Sequence, residues 1–269
     1  MSRVLKLALL GDPLSHSLSP RMQSAALAAA HLEGSYELIR CPSGELADRL
    51  PRLAAEGFTG LNLTLPLKEE ACSLLERLSP EARRLGAVNT LRLGAAGWEG
   101  HNTDLEGFAW AAREHFGDLR NLRALVLGAG GAARAVVAAL ADAALSRVDI
   151  LNRDPLRARK LASALATEGV EIRAVTGLAQ SADADILIQA TSLGLRKEDP
   201  LPPLPLPGRS PAVMDLITHA TPWLAACKKL GCRVADGRLM LAGQGAAAFA
   251  YWTGTSPPRQ VMLEALRGD

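Results

Sequence analysis

Short apolar runs alternate with helical stretches from one end of the chain to the other, the pattern of α/β architecture with mostly parallel sheets. Two blocks stand out. In the first, residues 4–10 and 36–41 read as strands, and Ser19-Pro20 opens a helix running to about His31. Residues 58–65 read as a strand, 67–78 as a helix and 87–93 as a strand again. Asp104 reads as the cap of a further helix reaching about Phe116, its carboxylate accepting from amide protons that would otherwise stay unpaired.

The second block follows Gly117 and holds six strand candidates, 122–127, 147–151, 171–175, 185–189, 212–217 and 233–235, the strand number of a dinucleotide-binding sheet. Between the fourth and fifth, residues 199–211 carry six prolines and predict an extended surface loop. A glycine- and alanine-rich helix over 239–252 and a last one opened by Ser256-Pro257-Pro258 come after the sheet is complete, so they are expected back on the first block. The reading is therefore α/β with two domains: an N-terminal open α/β domain over 1–104 completed by the C-terminal helices at 239–269, and a Rossmann-type domain over 105–238.

Composition narrows the function. A chain of 269 residues that is 48% apolar has material for two cores, whereas a formal charge of +2 and 4% aromatic residues offer neither an electrostatic footprint nor a stacking platform for nucleic acid. A small neutral or anionic ligand is the better expectation. Cys41, Cys72, Cys227 and Cys232 lack C-x-x-C spacing and a histidine cluster, so no metal site and no disulfide framework is expected, and the thiols suit a reducing compartment. The first residues carry too short an apolar run for a signal peptide, and the apolar stretch 124–145 is broken by glycines, Arg134 and Asp142. A cytoplasmic protein with no membrane partner is expected.

The strand ending at Leu127 runs into Gly128-Ala129-Gly130-Gly131-Ala132-Ala133 and then a helix-forming run, so the G-x-G-x-x-A pattern sits between strand and helix. There Gly128 permits the tight turn, Gly130 lets a pyrophosphate approach the backbone, Ala133 allows close packing, and the helix N-terminus presents free amide protons. Where an NAD site would place an acidic residue at the end of the second strand, this chain has Asn152, followed by Arg153 and, one turn on, Arg157. The guanidinium groups suit a 2′-phosphate and favour NADP, although both arginines also read as solvated charges. Asp154 reads either as a helix cap or as a ribose ligand.

In the first block, Leu61-Asn62-Leu63-Thr64-Leu65-Pro66-Leu67-Lys68 puts leucine at every odd position and Asn62, Thr64 and Lys68 on the opposite parity, which in a strand is one face. Amide, hydroxyl and amine then gather at the carboxyl end of a strand, where open α/β sheets bind ligands. The Ser15-His16-Ser17-Leu18-Ser19-Pro20 turn sets several hydroxyls before a helix N-terminus, suited to a carboxylate. Asn89 and Asp104 add polar groups at element ends, where each also has a capping explanation.

In order along the chain, S-x-S-P, N-x-T-x-P-x-K, G-A-V-N-T, N-T-D, G-A-G-G-A, N-R, A-T-S-x-G and D-G-x-x-M-L-x-x-Q resemble the shikimate dehydrogenase family. The resemblance implies a substrate domain built from both ends of the chain and an NADP domain inserted between them. It implies that Ser17 and Ser19 hold the substrate carboxylate, that Asn62, Thr64, Asn89, Asp104 and Gln244 bind ring hydroxyls, and that Lys68 is catalytic, with Asp104 mainly positioning. It further implies that Gly128, Ala129, Gly130, Gly131, Ala132, Asn152, Arg153 and Arg157 bind NADP, with Thr191, Leu216 and Gly237 lining the nicotinamide side. His16 has no catalytic role in the family. One departure concerns the substrate: where the family carries a tyrosine facing the carboxylate, this chain has Thr218, followed by His219. The expected reaction is reduction of 3-dehydroshikimate to shikimate by NADPH, in a monomer or homodimer. A quinate/shikimate dehydrogenase and a non-catalytic ligand sensor are the alternatives. Both serines favour shikimate, and retention of Lys68 and Asp104 speaks against the sensor.

Overall fold

The computed structural model describes residues 4–15, 17–196, 198–206, 208 and 210–267. The chain divides into two compact units, Met1–Gly107 with Ala242–Asp269, and Phe108–Leu241. It passes between them inside two helices rather than at loops.

The first unit contains β1 (Leu5–Gly11), α1 (Ser19–Ala29), β2 (Gly34–Arg40), α2 (Leu46–Ala55), β3 (Gly60–Leu63), α3 (Leu67–Leu74), β4 (Arg77–Leu78), α4 (Pro80–Leu85), β5 (Thr90–Gly94) and β6 (Gly97–His101). Its sheet runs β2-β1-β3-β5-β6-β4. β1 is parallel to β2 and β3 and buried over its last five residues, as a strand covered on both faces must be. The other half departs from the mostly parallel expectation, because β5 pairs antiparallel with β3 and turns at Gly97, φ +103°, into antiparallel β6. The helix expected over 67–78 also stops early. Leu75 is extended, Arg77–Leu78 pairs with β6, and Ser79 caps a new helix by accepting from the Ala82 N–H at 3.2 Å.

α5 (Asp104–Phe116) leads into the second unit, which holds β7 (Arg123–Leu127), α6 (Gly131–Asp142), β8 (Arg147–Leu151), α7 (Pro155–Ala164), β9 (Glu171–Val175), β10 (Ile186–Gln189), β11 (Ala212–Asp215), α8 (Pro222–Lys229) and β12 (Val234–Ala235). Its sheet is parallel throughout in the order β12-β11-β10-β7-β8-β9, so the strand order reverses between β7 and β10. This is the doubly wound dinucleotide-binding order, whose ligands sit outside the carboxyl ends of the strands at that reversal. The proline-rich segment has no helix or strand among its described residues, but it is more than a surface connection. Pro202 and Pro205 are buried, Leu204 packs on the core, and the Pro203 carbonyl accepts from the Trp223 indole at 3.0 Å.

α9 (Arg238–Thr253) and α10 (Arg259–Arg267) finish the chain. Gly107 and Gln244 lie so close that a Cβ on the glycine would collide with the Gln244 backbone, which fixes α9 against the start of α5 within the first unit. No helix among the described residues is long and apolar enough to cross a membrane.

Candidate active site

Three backbone hydrogen bonds set the centre of the first unit. Leu63 N–H donates to the Asn89 carbonyl, Val88 N–H to the Lys68 carbonyl, each at 2.8 Å, and Asn89 N–H to the His101 carbonyl at 3.1 Å. The end of β3, the first turn of α3 and the residues entering β5 are thereby laid side by side. Lys68 stands on α3, within the helix expected from residue 67, and so does not share a strand face with Asn62: β3 ends at Leu63 and residues 64–67 form a turn closed by Leu67 N–H on the Thr64 carbonyl.

Lys68 Nζ lies 2.6 Å from Asp104 Oδ2, with the lysine side chain 18% and the aspartate 5% exposed. Asn89 Nδ2 donates to Asp104 Oδ1 at 2.8 Å and to Thr103 Oγ1 at 3.0 Å, and approaches Gln244 Oε1 at 3.3 Å. Asp104 does not cap its helix. Asn102 Oδ1 takes the Asp104 N–H at 3.0 Å, which frees the carboxylate for Lys68 and Asn89. The lysine, aspartate, asparagine and glutamine of the sequence reading therefore meet in one cluster.

Behind the cluster runs a buried polar chain. Tyr36 hydroxyl donates to Asn62 Oδ1 at 2.8 Å, and Asn62 Nδ2 donates to the Asn89 carbonyl at 3.2 Å and Thr90 Oγ1 at 3.1 Å. Thr90 and the Thr103 N–H both donate to Asn89 Oδ1, at 3.0 and 2.8 Å. Burial pushes the Tyr36 phenol up despite a hydrogen bond from Ser19, so it stays protonated as a donor. Ser19, buried on α1, is thus joined to Asn62 through Tyr36, and Ser17 Oγ accepts from the Ser19 N–H at 3.3 Å. Thr64 is fixed by its N–H on the Leu10 carbonyl at 2.9 Å, and its methyl group occupies the space that a side chain at Gly11 would need. His16 lies outside the described residues. Tyr36 has no motif in the sequence to announce it, whereas Thr90, Asn102 and Thr103 sit inside the G-A-V-N-T and N-T-D motifs.

In the second unit Gly128 has φ +114°, and a Cβ there would come 2.9 Å from the Ala190 carbonyl oxygen, so the chain after β7 and the chain after β10 touch through a glycine. Gly128 N–H donates to the Leu151 carbonyl at 2.8 Å, which brings the turn beside Asn152. Gly130 differs: its backbone (φ −91°, ψ −171°) suits any residue and no atom lies within 4 Å of a Cβ built on it. Nothing in the fold requires glycine there. Ala129, Gly131 and Ala132 complete the turn into α6. In the first turn of that helix Arg134 Nε is buried with no hydrogen-bond partner among the described residues. The open space over Gly130 at a helix N-terminus fits a dinucleotide phosphate.

Asp154 resolves as the cap of α7, its Oδ1 accepting from the Leu156 N–H at 2.9 Å while its carbonyl takes the Asn152 amide at 2.9 Å. Arg153 and Arg157 are exposed and pair with no carboxylate among the described residues. Thr191 follows β10, Leu216 follows β11, and Gly237 packs so closely on the Leu216 carbonyl that no Cβ fits. Thr218, half-buried in the loop after β11, belongs to this second unit, and His219 beside it is exposed.

A parallel sheet in dinucleotide-binding order, together with a half-buried lysine paired to a buried carboxylate on the other unit, defines the class of an α/β dehydrogenase. Family models extend the assignment: the shikimate dehydrogenase substrate binding domain matches residues 9–91, the shikimate/quinate 5-dehydrogenase family 111–195, and the shikimate 5′-dehydrogenase C-terminal domain 237–267. The chain is 43% identical to the NADP(+) shikimate dehydrogenase of Moorella thermoacetica, over 97% of this chain and 92% of that one. The crystal structure of shikimate dehydrogenase from Aquifex aeolicus superposes with a TM-score of 0.90 at 32% identity, covering 100% and 99% of the two chains. That of shikimate 5-dehydrogenase from Thermus thermophilus in complex with NADP(H) and shikimate gives 0.87 at 43% identity, covering 98% of each. The chain belongs to the shikimate dehydrogenase family.

Proposed function

We propose that the protein catalyses the reversible, NADPH-dependent reduction of 3-dehydroshikimate to shikimate. The observation that carries this reading is the Lys68–Asp104 pair at 2.6 Å, held within a hydrogen-bonded cluster with Asn89 on the substrate-binding unit. Bound NADPH supplies the hydride. Lys68 places its ammonium against the carbonyl oxygen being reduced, stabilises the developing negative charge and delivers the proton. Asp104 holds the amine in place and offers its remaining lone pairs to a ring hydroxyl. Ser17 and Ser19, at the start of α1, take the substrate carboxylate, while Thr64, Asn89 and Gln244 take ring hydroxyls. Asn62 has both amide hydrogens already placed, so it has only the free side of its oxygen to offer.

On the other unit, Gly128, Ala129, Gly130, Gly131 and Ala132 would hold the pyrophosphate, with Asn152, Arg153 and Arg157 at the adenosine 2′-phosphate. Thr191, Leu216 and Gly237 would flank the nicotinamide. Asp154 caps its helix, and Arg153 and Arg157, both exposed, outnumber its charge at the second-strand corner, which supports NADP over NAD. Thr218 stands where the family has a tyrosine, so the loop after β11 offers a shorter hydroxyl than the family provides. Four free thiols support a cytoplasmic enzyme, and a monomer or homodimer is the expected assembly.

The deciding assay follows absorbance of the reduced cofactor with shikimate and with quinate, each against NADP and NAD. Turnover is expected with shikimate and NADP. Comparable turnover of quinate would establish the broader dehydrogenase, and silence in all four combinations would leave a ligand sensor.

A further inference from the structure

Gln189 ends β10 and Asp215 ends β11; the two are register partners, and neither is exposed to solvent. A pair of apolar side chains would serve the sheet equally well at these positions, as Ile188 and Met214 do one residue earlier. A buried amide and carboxylate are costly unless each finds partners, and here the partners lie in the loops ahead. Gln189 Oε1 accepts from the Thr191 N–H at 2.5 Å, and its Nε2 donates to the Leu193 carbonyl at 2.9 Å. Asp215 Oδ1 accepts from the Ile217 N–H at 3.1 Å, and Oδ2 from the Thr221 hydroxyl at 2.8 Å. Thr221 in turn caps α8 by accepting from the Leu224 N–H at 3.2 Å. The two side chains meet at 3.5 Å, and Leu216 N–H donates to the Gln189 carbonyl at 3.0 Å, so the loops after β10 and β11 are tied to each other as well as to their own strands.

We propose that Gln189 and Asp215 are positioning residues that set these two loops as a single wall for the nicotinamide half of the cofactor. The proposal rests on the dinucleotide reading of this unit. It separates two tasks: the glycine turn and the arginines hold the phosphates and adenosine, whereas the Gln189–Asp215 pair holds the loops carrying Thr191 and Leu216. Asp215 also makes the wall sensitive to protons, because burial pushes its carboxyl up to about 6. The ionisable groups around it are His219 in its own loop, Asp236 after β12, which is paired with Arg238, and the Cys227 thiol of α8. β10 contributes the uncharged Gln189. Below that pH the protonated acid no longer accepts from both the Ile217 N–H and the Thr221 hydroxyl as a carboxylate does.

The test compares binding of NADPH with binding of 2′-phospho-ADP-ribose, which lacks the nicotinamide, to the full-length protein by fluorescence titration. Gln189→Leu and Asp215→Asn are expected to weaken NADPH roughly ten- to a hundredfold, the range for losing hydrogen bonds to a charged or buried partner. The truncated ligand should stay within about twofold of wild type, and the melting temperature of Asp215→Asn at neutral pH should not fall below wild type. Because both ligands carry the same 2′-phosphate, their affinity ratio cancels its titration. In wild type that ratio should drop as the pH falls through about 6, and in Asp215→Asn it should stay flat. Equal loss of both ligands with a lowered melting temperature would overturn the proposal in favour of a general structural role, as would an unchanged ratio in both variants. Wild type binding neither ligand would remove the dinucleotide reading itself, a distinct result.

Discussion

Lys68 is 18% exposed and its partner Asp104 is almost wholly buried, so the amine is held in position while its side chain keeps some access to solvent. Lys68→Ala is expected to lower kcat by about two to four orders of magnitude, the usual contribution of a positioned proton donor, with KM for shikimate within a few-fold of wild type. Steady-state kinetics in the shikimate-oxidising direction check this, and retained turnover would remove Lys68 from the chemistry. Asp215 carries the pH prediction. Its folded pKa, about 6, lies above the usual 3.8, so the folded chain keeps a proton that the unfolded chain has already released. The protonated acid therefore favours folding at low pH, and that advantage is lost as the pH rises from about 4 to 6. A difference of this size between folded and unfolded chain corresponds to about 3 kcal/mol. Asp215→Asn, which has the shape without the charge, should melt higher than wild type at pH 7, the gap closing toward pH 4. Thermal melts over that range decide it, and a lower melting temperature at pH 7 would show that the carboxylate's hydrogen bonds outweigh its desolvation.

At the scale of elements, Gly128 and Gly130 are two residues apart and serve different ends. Gly128 has a positive φ and a carbonyl against it, so Gly128→Ala must strain the fold. Gly130→Ala meets neither obstacle and should keep or slightly raise the melting temperature, by the reduced freedom of the unfolded chain. Its new methyl group projects into the cradle, so NADPH affinity should fall about tenfold or more, a crowded phosphate contact costing at least one hydrogen bond, while KM for shikimate stays unchanged. Calorimetry of the variant with NADPH measures both halves of the claim. The same contrast explains what the sequence made legible. In the second unit β7, β10 and β11 are buried along most of their length and read as short apolar runs, while β8 and β9, although they carry Arg147, Asp149, Glu171 and Arg173, still fall on the residues expected. The first unit hid more. β6 is Gly-Trp-Glu-Gly-His, too short and polar to signal a strand, and Pro51 interrupts α2, which holds its course because Leu46, Leu50 and Leu53 are buried in the core. Lys68, Asn89 and Asp104 stood in motifs and could be named, but their meeting depends on backbone bonds between segments distant in sequence. Tyr36 and the Gln189–Asp215 pair could be found only from their side-chain hydrogen bonds, since a lone buried polar residue in a strand leaves no periodic trace.

At the scale of the whole molecule, the chain spends its two ends on one unit and its middle on the other, and the polar groups divide in the same way. Ser17, Ser19, Asn62, Thr64, Lys68, Asn89, Asp104 and Gln244 belong to the first unit, and the glycine turn, Asn152, Arg153, Arg157, Thr191, Leu216 and Gly237 to the second. Each ligand should therefore leave its own footprint in amide hydrogen exchange. Shikimate alone should slow exchange around Ser19, Asn89 and Asp104, and NADP alone around Gly128 to Arg134 and at Thr191 and Leu216, because bound ligand suppresses local opening where it makes contact. A ligand at one hundred times its Kd stabilises the region it binds by about 2.7 kcal/mol, roughly a hundredfold slower exchange for amides that open together. Shikimate protecting only the second unit, or NADP only the first, would reverse the division of labour, and a footprint of shikimate that reached the Thr218 loop would place that threonine at the substrate despite its short side chain.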